Sequence, residues 1–270
     1  MQDGVVIDLK DMPLSLQQGR SPLVLAIPHA GTFIPEGIKA NLNETGRAIS
    51  DTDWHMDRVY DGLLDDITII SAKFHRYVID ANRDPSGASL YPGQNTTGLV
   101  PLTDFDGTAI WHREPDADSV ETRRAQFHAP YHAALAAELA RVKALHGFAI
   151  LYDCHSIRSE IPFLFNGTLP DFNIGTNHGV TCAPALCDVV QRHCAAAEDF
   201  SHVVNGRFVG GWTTRHYGRP DEGVHAIQME LAQSTYMQQS PPWAWENGRA
   251  KRLRAVLGPM LREIAALELS

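Results

Sequence analysis

The residues best suited to chemistry stand where apolar runs give way to polar clusters. His29 follows the run Leu23 to Ile27, Asp153 and His155 follow Phe148 to Tyr152, Asn82 and Arg83 follow Tyr77 to Ile79, and Glu230 follows Val224 to Met229. Ligands of open α/β sheets bind beyond the carboxyl ends of the strands, so these positions form a coherent set. Imidazoles from separate strand ends can converge on one metal with a carboxylate, leaving the fourth place of a zinc ion open to water. That is a catalytic rather than a structural arrangement. The candidate acids lie in Asp51-Thr52-Asp53-Trp54-His55-Met56-Asp57, where Asp53 and Asp57 would share a face if the segment were helical. Both stay open as ligands.

Asp153, two residues before His155, points to the same side of an extended strand and could accept the other ring N–H. Glu230 is the natural general base for a water activated by the metal. Arg76 and Arg83 flank a single run, and guanidinium pairs with carboxylates or meets a developing oxyanion. A second basic cluster, Thr213-Thr214-Arg215-His216-Tyr217-Gly218, follows the glycine-rich stretch Asn205 to Gly211. It supplies the further cation that a dicarboxylate ligand needs.

Plainer readings compete. Most of the 13 histidines cannot be ligands; His75, His112, His128, His132, His178, His193 and His202 are read as ordinary polar residues, while His55 and His225 could hydrogen-bond within the site. Arg83 could pair with Asp80 or Asp84 instead of a ligand. Asp153 could merely brace a turn. Cys154 adjoins His155, but its side chain would alternate to the opposite face, which disfavours it as a nucleophile. No phosphate-binding loop and no G-x-S-x-G motif is present.

The elements that position these residues read as α/β. Continuous apolar runs at Leu23 to Ile27, Ile67 to Ile70, Tyr77 to Ile79, Phe148 to Tyr152 and Val224 to Met229 suit strands buried on both faces. Glu121 to Leu145 has helical spacing and a stop at Gly147, and Trp243 to Leu267 a second helix interrupted at Gly258-Pro259. Asp84 to Pro115 and Asn166 to Pro184 are irregular and rich in turn formers, as functional loops are. No repeat or linker divides the chain, so residues 1–270 are expected to form one catalytic domain.

A net charge of −9 without a basic run disfavours nucleic acid and anionic membranes. No apolar stretch reaches the ~20 residues of a membrane span, and the start MQDGVVIDLK lacks a signal-peptide pattern. The expected location is the cytoplasm. Four cysteines without a C-x-x-C pair argue against a disulfide framework and against a cysteine-rich zinc site. A homo-oligomer is left open.

The segments IPHAGTFIP (27–35), DTDWHMDRVYD (51–61), RYVIDANRDP (76–85), LYPG (90–93), DCHSIRSEIPFLFNGTLPDFNIGT (153–176), NGRFVGGWTTRHYGRP (205–220) and GVHAIQMELAQSTYM (223–237) together resemble the N-formylglutamate amidohydrolase family. The resemblance spans nearly the whole chain. That family is similar in turn to zinc carboxypeptidases and aspartoacylases, which implies a three-layer α/β/α sandwich around a mixed, mostly parallel sheet. It implies one catalytic Zn2+ held by His29, His155 and an acid, Arg76 polarising the scissile carbonyl, Asn82 and Arg83 gripping a carboxylate, and Glu230 as base. The wider group takes its acidic ligand three residues after the first histidine. Position 32 here is threonine, so the acid is left to Asp57 or Asp53, with Glu36 third. The implied reaction is hydrolysis of N-formyl-L-glutamate to formate and L-glutamate, in histidine degradation. Competing readings are a zinc amidase for another N-acyl acidic amino acid, a non-catalytic binder of an acidic metabolite, and a cysteine hydrolase using Cys154.

Overall fold

The structure is a computed structural model that describes residues 12–89 and 95–269, together with the backbone of 5–7. The LYPG segment (90–93) lies outside the described residues. Eight strands are present among them: β1 (Val5–Ile7), β2 (Leu14–Gln18), β3 (Leu23–Ile27), β4 (Thr68–Ala72), β5 (Ala149–Ile157), β6 (Phe172–Gly175), β7 (His202–Val204) and β8 (Val224–Ala232). They form one sheet in the order β1-β2-β4-β3-β5-β8-β6-β7. The central run β4-β3-β5-β8 is parallel, while β2 joins β4, and β6 joins β8, antiparallel. The sheet is therefore mixed, with its fully buried strands in the middle.

Side-chain alternation builds two cores. Leu23, Leu25 and Ile27 of β3, with Ile150, Tyr152 and Cys154 of β5, face one side; Val24, Ala26, Ala149 and Leu151 face the other. The first side is covered by α3 (Met56–Tyr60), α6 (Pro184–Ala196) and α8 (Asn247–Ala265), and the second chiefly by α5 (Ala129–His146). Two four-residue helices, α1 (Glu36–Lys39) and α2 (Glu44–Arg47), precede α3; α4 (Ala117–Arg123) leads into α5, and α7 (Trp212–Tyr217) precedes β8. The architecture is the expected α/β/α sandwich. No helix of the described residues is long and apolar enough to cross a membrane.

Several elements differ from their sequence-based expectation. Tyr77 to Ile79 is a buried turn, in which the Val78 N–H donates to the His75 carbonyl and the Asp80 N–H to that of Leu99. Its apolar run satisfies the core without entering the sheet. The first long helix is broken by a π-turn at Arg124–His128. Pro130 has no N–H to return to the Gln126 carbonyl, and the Ala129 N–H reaches the Arg124 carbonyl five residues back. Gly147 closes α5 at φ 85°, a left-handed cap that glycine adopts without a side-chain clash. The last helix starts only at Asn247 and runs through Pro259 unbroken, because Leu257, Met260 and Leu261 are buried on both sides of the proline. The segment Asn166 to Pro184 is not wholly irregular: it holds β6, too short and too closely flanked by turn formers to show periodicity.

Candidate active site

His29 leaves the end of β3, and its carbonyl accepts the Asp53 N–H at 3.1 Å, which brings the 51–57 segment to the sheet. His155 lies within β5. One ligand atom from each of His29, Asp53 and His155 falls within 4.8 Å of the others. All three residues are buried. Asp53 Oδ2 is 3.9 Å from His29 Nδ1 and 3.6 Å from His155 Nδ1; tetrahedral zinc ligands at about 2.0–2.1 Å lie roughly 3.4 Å apart. His29 Nδ1 has no hydrogen-bond partner although it is buried, a state that metal ligation would relieve. Donor set, spacing and orphaned nitrogen fit one divalent ion.

The far edge of each imidazole meets a carboxylate. Asp80 lies 2.7 Å from His29 Nε2, and Asp153 Oδ1 lies 2.9 Å from His155 Nε2. The hydrogen bond to Asp80 favours the His29 tautomer whose Nδ1 lone pair faces Asp53. Asp153 Oδ2 accepts the Thr214 hydroxyl at 2.9 Å. Burial works against the charged form of Asp80, but Arg83, His29 and Arg76 together hold its carboxyl well below the usual range. Asp53 Oδ1 pairs with Arg76, and its Oδ2 also accepts the Ser156 N–H at 2.9 Å.

Asp57 is not part of this group. His55 takes a left-handed backbone, φ 61°, and α3 begins only after it, so Asp53 precedes the helix and the two acids share no helical face. Asp57 points to solvent. Glu36, at the start of α1, is also exposed and outside the group. His55 Nε2 contacts the Trp243 carbonyl at 2.7 Å, and His225 Nδ1 accepts the Ala183 N–H at 3.1 Å.

Glu230 stands opposite His155 in the β5–β8 register, two residues after Gln228, which stands opposite Asp153. The four side chains project from the same side of the sheet. Gln228 donates to Glu230 Oε2 at 3.2 Å and accepts the Gly211 N–H at 2.6 Å. Burial pushes the Glu230 carboxyl up to about 8; His155 and Arg76 oppose the rise, while Asp53 and Asp153 add to it. Beside the proposed ligands is therefore a carboxylate more basic than an exposed glutamate.

A single cavity is lined by His29, His155, Glu230, Arg76, Asn82 and Arg83, with Arg207 on its wall. The Arg76 guanidinium also lies 4.9 Å from the Phe105 ring centre. Asn82 Nδ2 is 3.2 Å from His155 Nε2, and its Oδ1 accepts the Thr213 N–H at 2.8 Å. Arg83 donates to the Thr97 carbonyl and hydroxyl at 2.8 and 2.9 Å and to the Asn82 carbonyl at 3.0 Å. Its approach to Asp80 is longer, at 3.6 Å.

Two of the residues predicted to bind substrate do not line this cavity. Thr214 is fully buried and directs its hydroxyl to Asp153, and Arg215 Nε donates to the Gly210 carbonyl at 2.9 Å. In α7 these side chains brace the wall instead of facing the cavity. Cys154 is buried in the opposite core, where burial raises its thiol well above the usual range, with Asp153 adding to the rise. Asp80, Gln228 and Arg207 were missed by the sequence reading, as were His128 and His132. The two histidines contact the Arg83 and Ala81 carbonyls through Nε2 at 3.0 and 2.7 Å, and so hold the backbone on both sides of Asn82. Their i, i+4 spacing across the helix was the available signal.

The profile of the N-formylglutamate amidohydrolase family matches residues 21–237. The chain is 48% identical over 260 residues to an N-formylglutamate deformylase of Pseudomonas aeruginosa, and 44% identical to one of Pseudomonas putida, in each case covering 95% of this chain and 97% of the relative. A crystal structure of N-formylglutamate amidohydrolase from Ralstonia eutropha JMP134 superposes with a TM-score of 0.79 at 25% identity, covering 94% of this chain and 97% of that one. A protein of Agrobacterium tumefaciens shares the fold at a TM-score of 0.73 and 15% identity, over 96% and 97% of the two chains.

Proposed function

The chain belongs to the N-formylglutamate amidohydrolase family, and from that premise we propose that it hydrolyses N-formyl-L-glutamate to formate and L-glutamate with one zinc ion. The observation that carries this reading is the convergence of His29, Asp53 and His155 at the cavity that His29, His155 and Glu230 line. Those three side chains hold the metal, which when bound polarises a carbonyl and makes water easier to deprotonate. Glu230 takes the proton of the attacking water as its oxygen bonds to the formyl carbon. It returns that proton to the glutamate nitrogen as the C–N bond breaks. A carboxyl raised by burial is suited to both transfers, since its proton affinity lies closer to neutrality.

Arg76 meets the negative charge that develops on the formyl oxygen and keeps Asp53 in place. Asn82 and Arg83 grip the α-carboxylate of the substrate. Thr214 acts indirectly, by orienting Asp153 behind His155, and Arg215 by bracing the Gly210 backbone. Residues 1–270 work as one catalytic domain in the cytoplasm, with a small molecule as substrate and no nucleic acid or membrane as partner. The reaction serves histidine degradation.

The relatives named as N-formylglutamate deformylases favour this substrate over other N-acyl acidic amino acids. The test is formate release by the zinc-loaded enzyme, compared with hydrolysis of N-formyl-L-aspartate and N-acetyl-L-aspartate. N-formyl-L-glutamate should be the fastest of the three. The reading fails if it is turned over no faster than N-acetyl-L-aspartate.

A further inference from the structure

A substrate with two carboxylates requires two cationic contacts if both ends are to be read, and the residue singled out for the second contact, Arg215, lies outside the cavity wall. Arg207 lies on it, together with Arg83. The loop that carries Arg207 is pinned at both ends. At one end Asn205, at φ 51°, donates its N–H to the Ile174 carbonyl at 2.7 Å, and its Oδ1 accepts the Thr176 N–H at 2.9 Å. At the other, the Val209 carbonyl accepts the Asn177 N–H at 2.6 Å and Gly211 donates to Gln228. The side chain is thus presented by the edge of β6 and by β8, which also carries Glu230.

The Arg207 guanidinium donates from Nε to the Leu164 carbonyl at 3.1 Å and from one terminal nitrogen to the Asn95 carbonyl at 3.2 Å. It lies 5.4 Å from the ring centre of Phe208. These two carbonyl oxygens fix the direction of the guanidinium. Arg83 is fastened to Thr97 in the same way. The two arginines are therefore anchored on residues two apart in one segment, at most about 7 Å along the chain. Asn82 places the Arg83 end beside His155, and so beside the carbon that bears the formamide. Arg207 enters the same cavity from a different loop, between β7 and α7.

We infer that Arg207 is the specificity residue that reads the γ-carboxylate of the substrate, while Arg83 and Asn82 take the α-carboxylate. This rests on the reading of N-formyl-L-glutamate as substrate. A guanidinium separates a carboxylate from its neutral isostere, the γ-amide, by charge and by paired donors. Losing such a contact costs on the order of 10- to 100-fold in kcat/KM.

The experiment measures kcat and KM of wild type, Arg207→Gln and Arg207→Lys on N-formyl-L-glutamate and N-formyl-L-glutamine. Wild type should prefer the glutamate compound. Arg207→Gln should lower kcat/KM for it by the factor above, mainly through KM, and collapse the preference by the same factor. Arg207→Lys, which keeps the charge but not the planar fork, should recover part of it. An unchanged preference in Arg207→Gln, or an equal loss on both substrates, overturns the assignment while leaving the deformylase reading intact. A wild-type enzyme inert on N-formyl-L-glutamate overturns both.

Discussion

Asp80 lies 2.7 Å from Nε2 of His29, on the edge of the imidazole turned away from Asp53. A carboxylate only accepts, so this contact puts the ring proton on Nε2 and leaves the Nδ1 lone pair facing Asp53 and His155. Asp153 Oδ1 lies 2.9 Å from His155 Nε2, which Asn82 Nδ2 also approaches at 3.2 Å. Asp80→Asn should therefore weaken zinc binding by about 10- to 100-fold, read by competition with a chelating dye. Unchanged affinity would mean that Asp80 does not set the ring.

Glu230→Gln keeps the shape of the side chain and removes the proton acceptor. It should retain stoichiometric zinc while kcat falls on the order of 10²- to 10⁴-fold. Metal analysis and initial rates on the same preparation check this. Retention of wild-type kcat would assign the base elsewhere.

Gly211 lies against Asn82. A Cβ there would stand 2.2 Å from Asn82 Nδ2 and 2.6 Å from its Oδ1, so Gly211→Ala must displace the amide or the loop. The expected result is a KM raised at least about tenfold and a stability loss of about 1–3 kcal/mol. Wild-type KM in this variant would remove Asn82 from substrate binding.

His132 is buried among Trp212, Tyr217 and His128, and burial lowers its pKa to about 3, with His128 adding to the fall. Below about pH 6.5 the unfolded chain takes up a proton that the folded chain refuses until about pH 3. Stability from this source is complete above about pH 6.5 and declines as pH falls through that window, by up to about 1.4 kcal/mol per unit. His132→Gln can keep a donor for the Ala81 carbonyl and abolishes the titration. Urea unfolding between pH 7 and about pH 4 should show a shallower acid loss in the variant; parallel curves would contradict it.

The proposed ligands differ in how far the sequence revealed them. His29 and His155 were visible because each follows or ends a buried run, where an α/β sheet exposes its ligands. Asp53 could not be separated from Asp57, since the choice turns on the left-handed backbone of His55, and no periodicity encodes one dihedral. Arg207 lies within the glycine-rich stretch and Arg215 follows it; their separation depends on α7 carrying Arg215 behind the wall. The central strands were legible as apolar runs. Tyr77 to Ile79 misled because burial does not specify backbone pairing, and β6 was hidden because four residues define no period. Asp80 read as a partner for Arg83, and only its distance to His29 reveals the other role.

The most direct test of the central claim is the zinc content per chain, measured after exhaustive dialysis for wild type, His29→Ala, His155→Ala, Asp53→Ala and Asp57→Ala. Wild type and Asp57→Ala should each hold one equivalent, and the other three should lose it. Wild-type protein without stoichiometric metal, or metal lost from Asp57→Ala but kept by Asp53→Ala, would contradict the account.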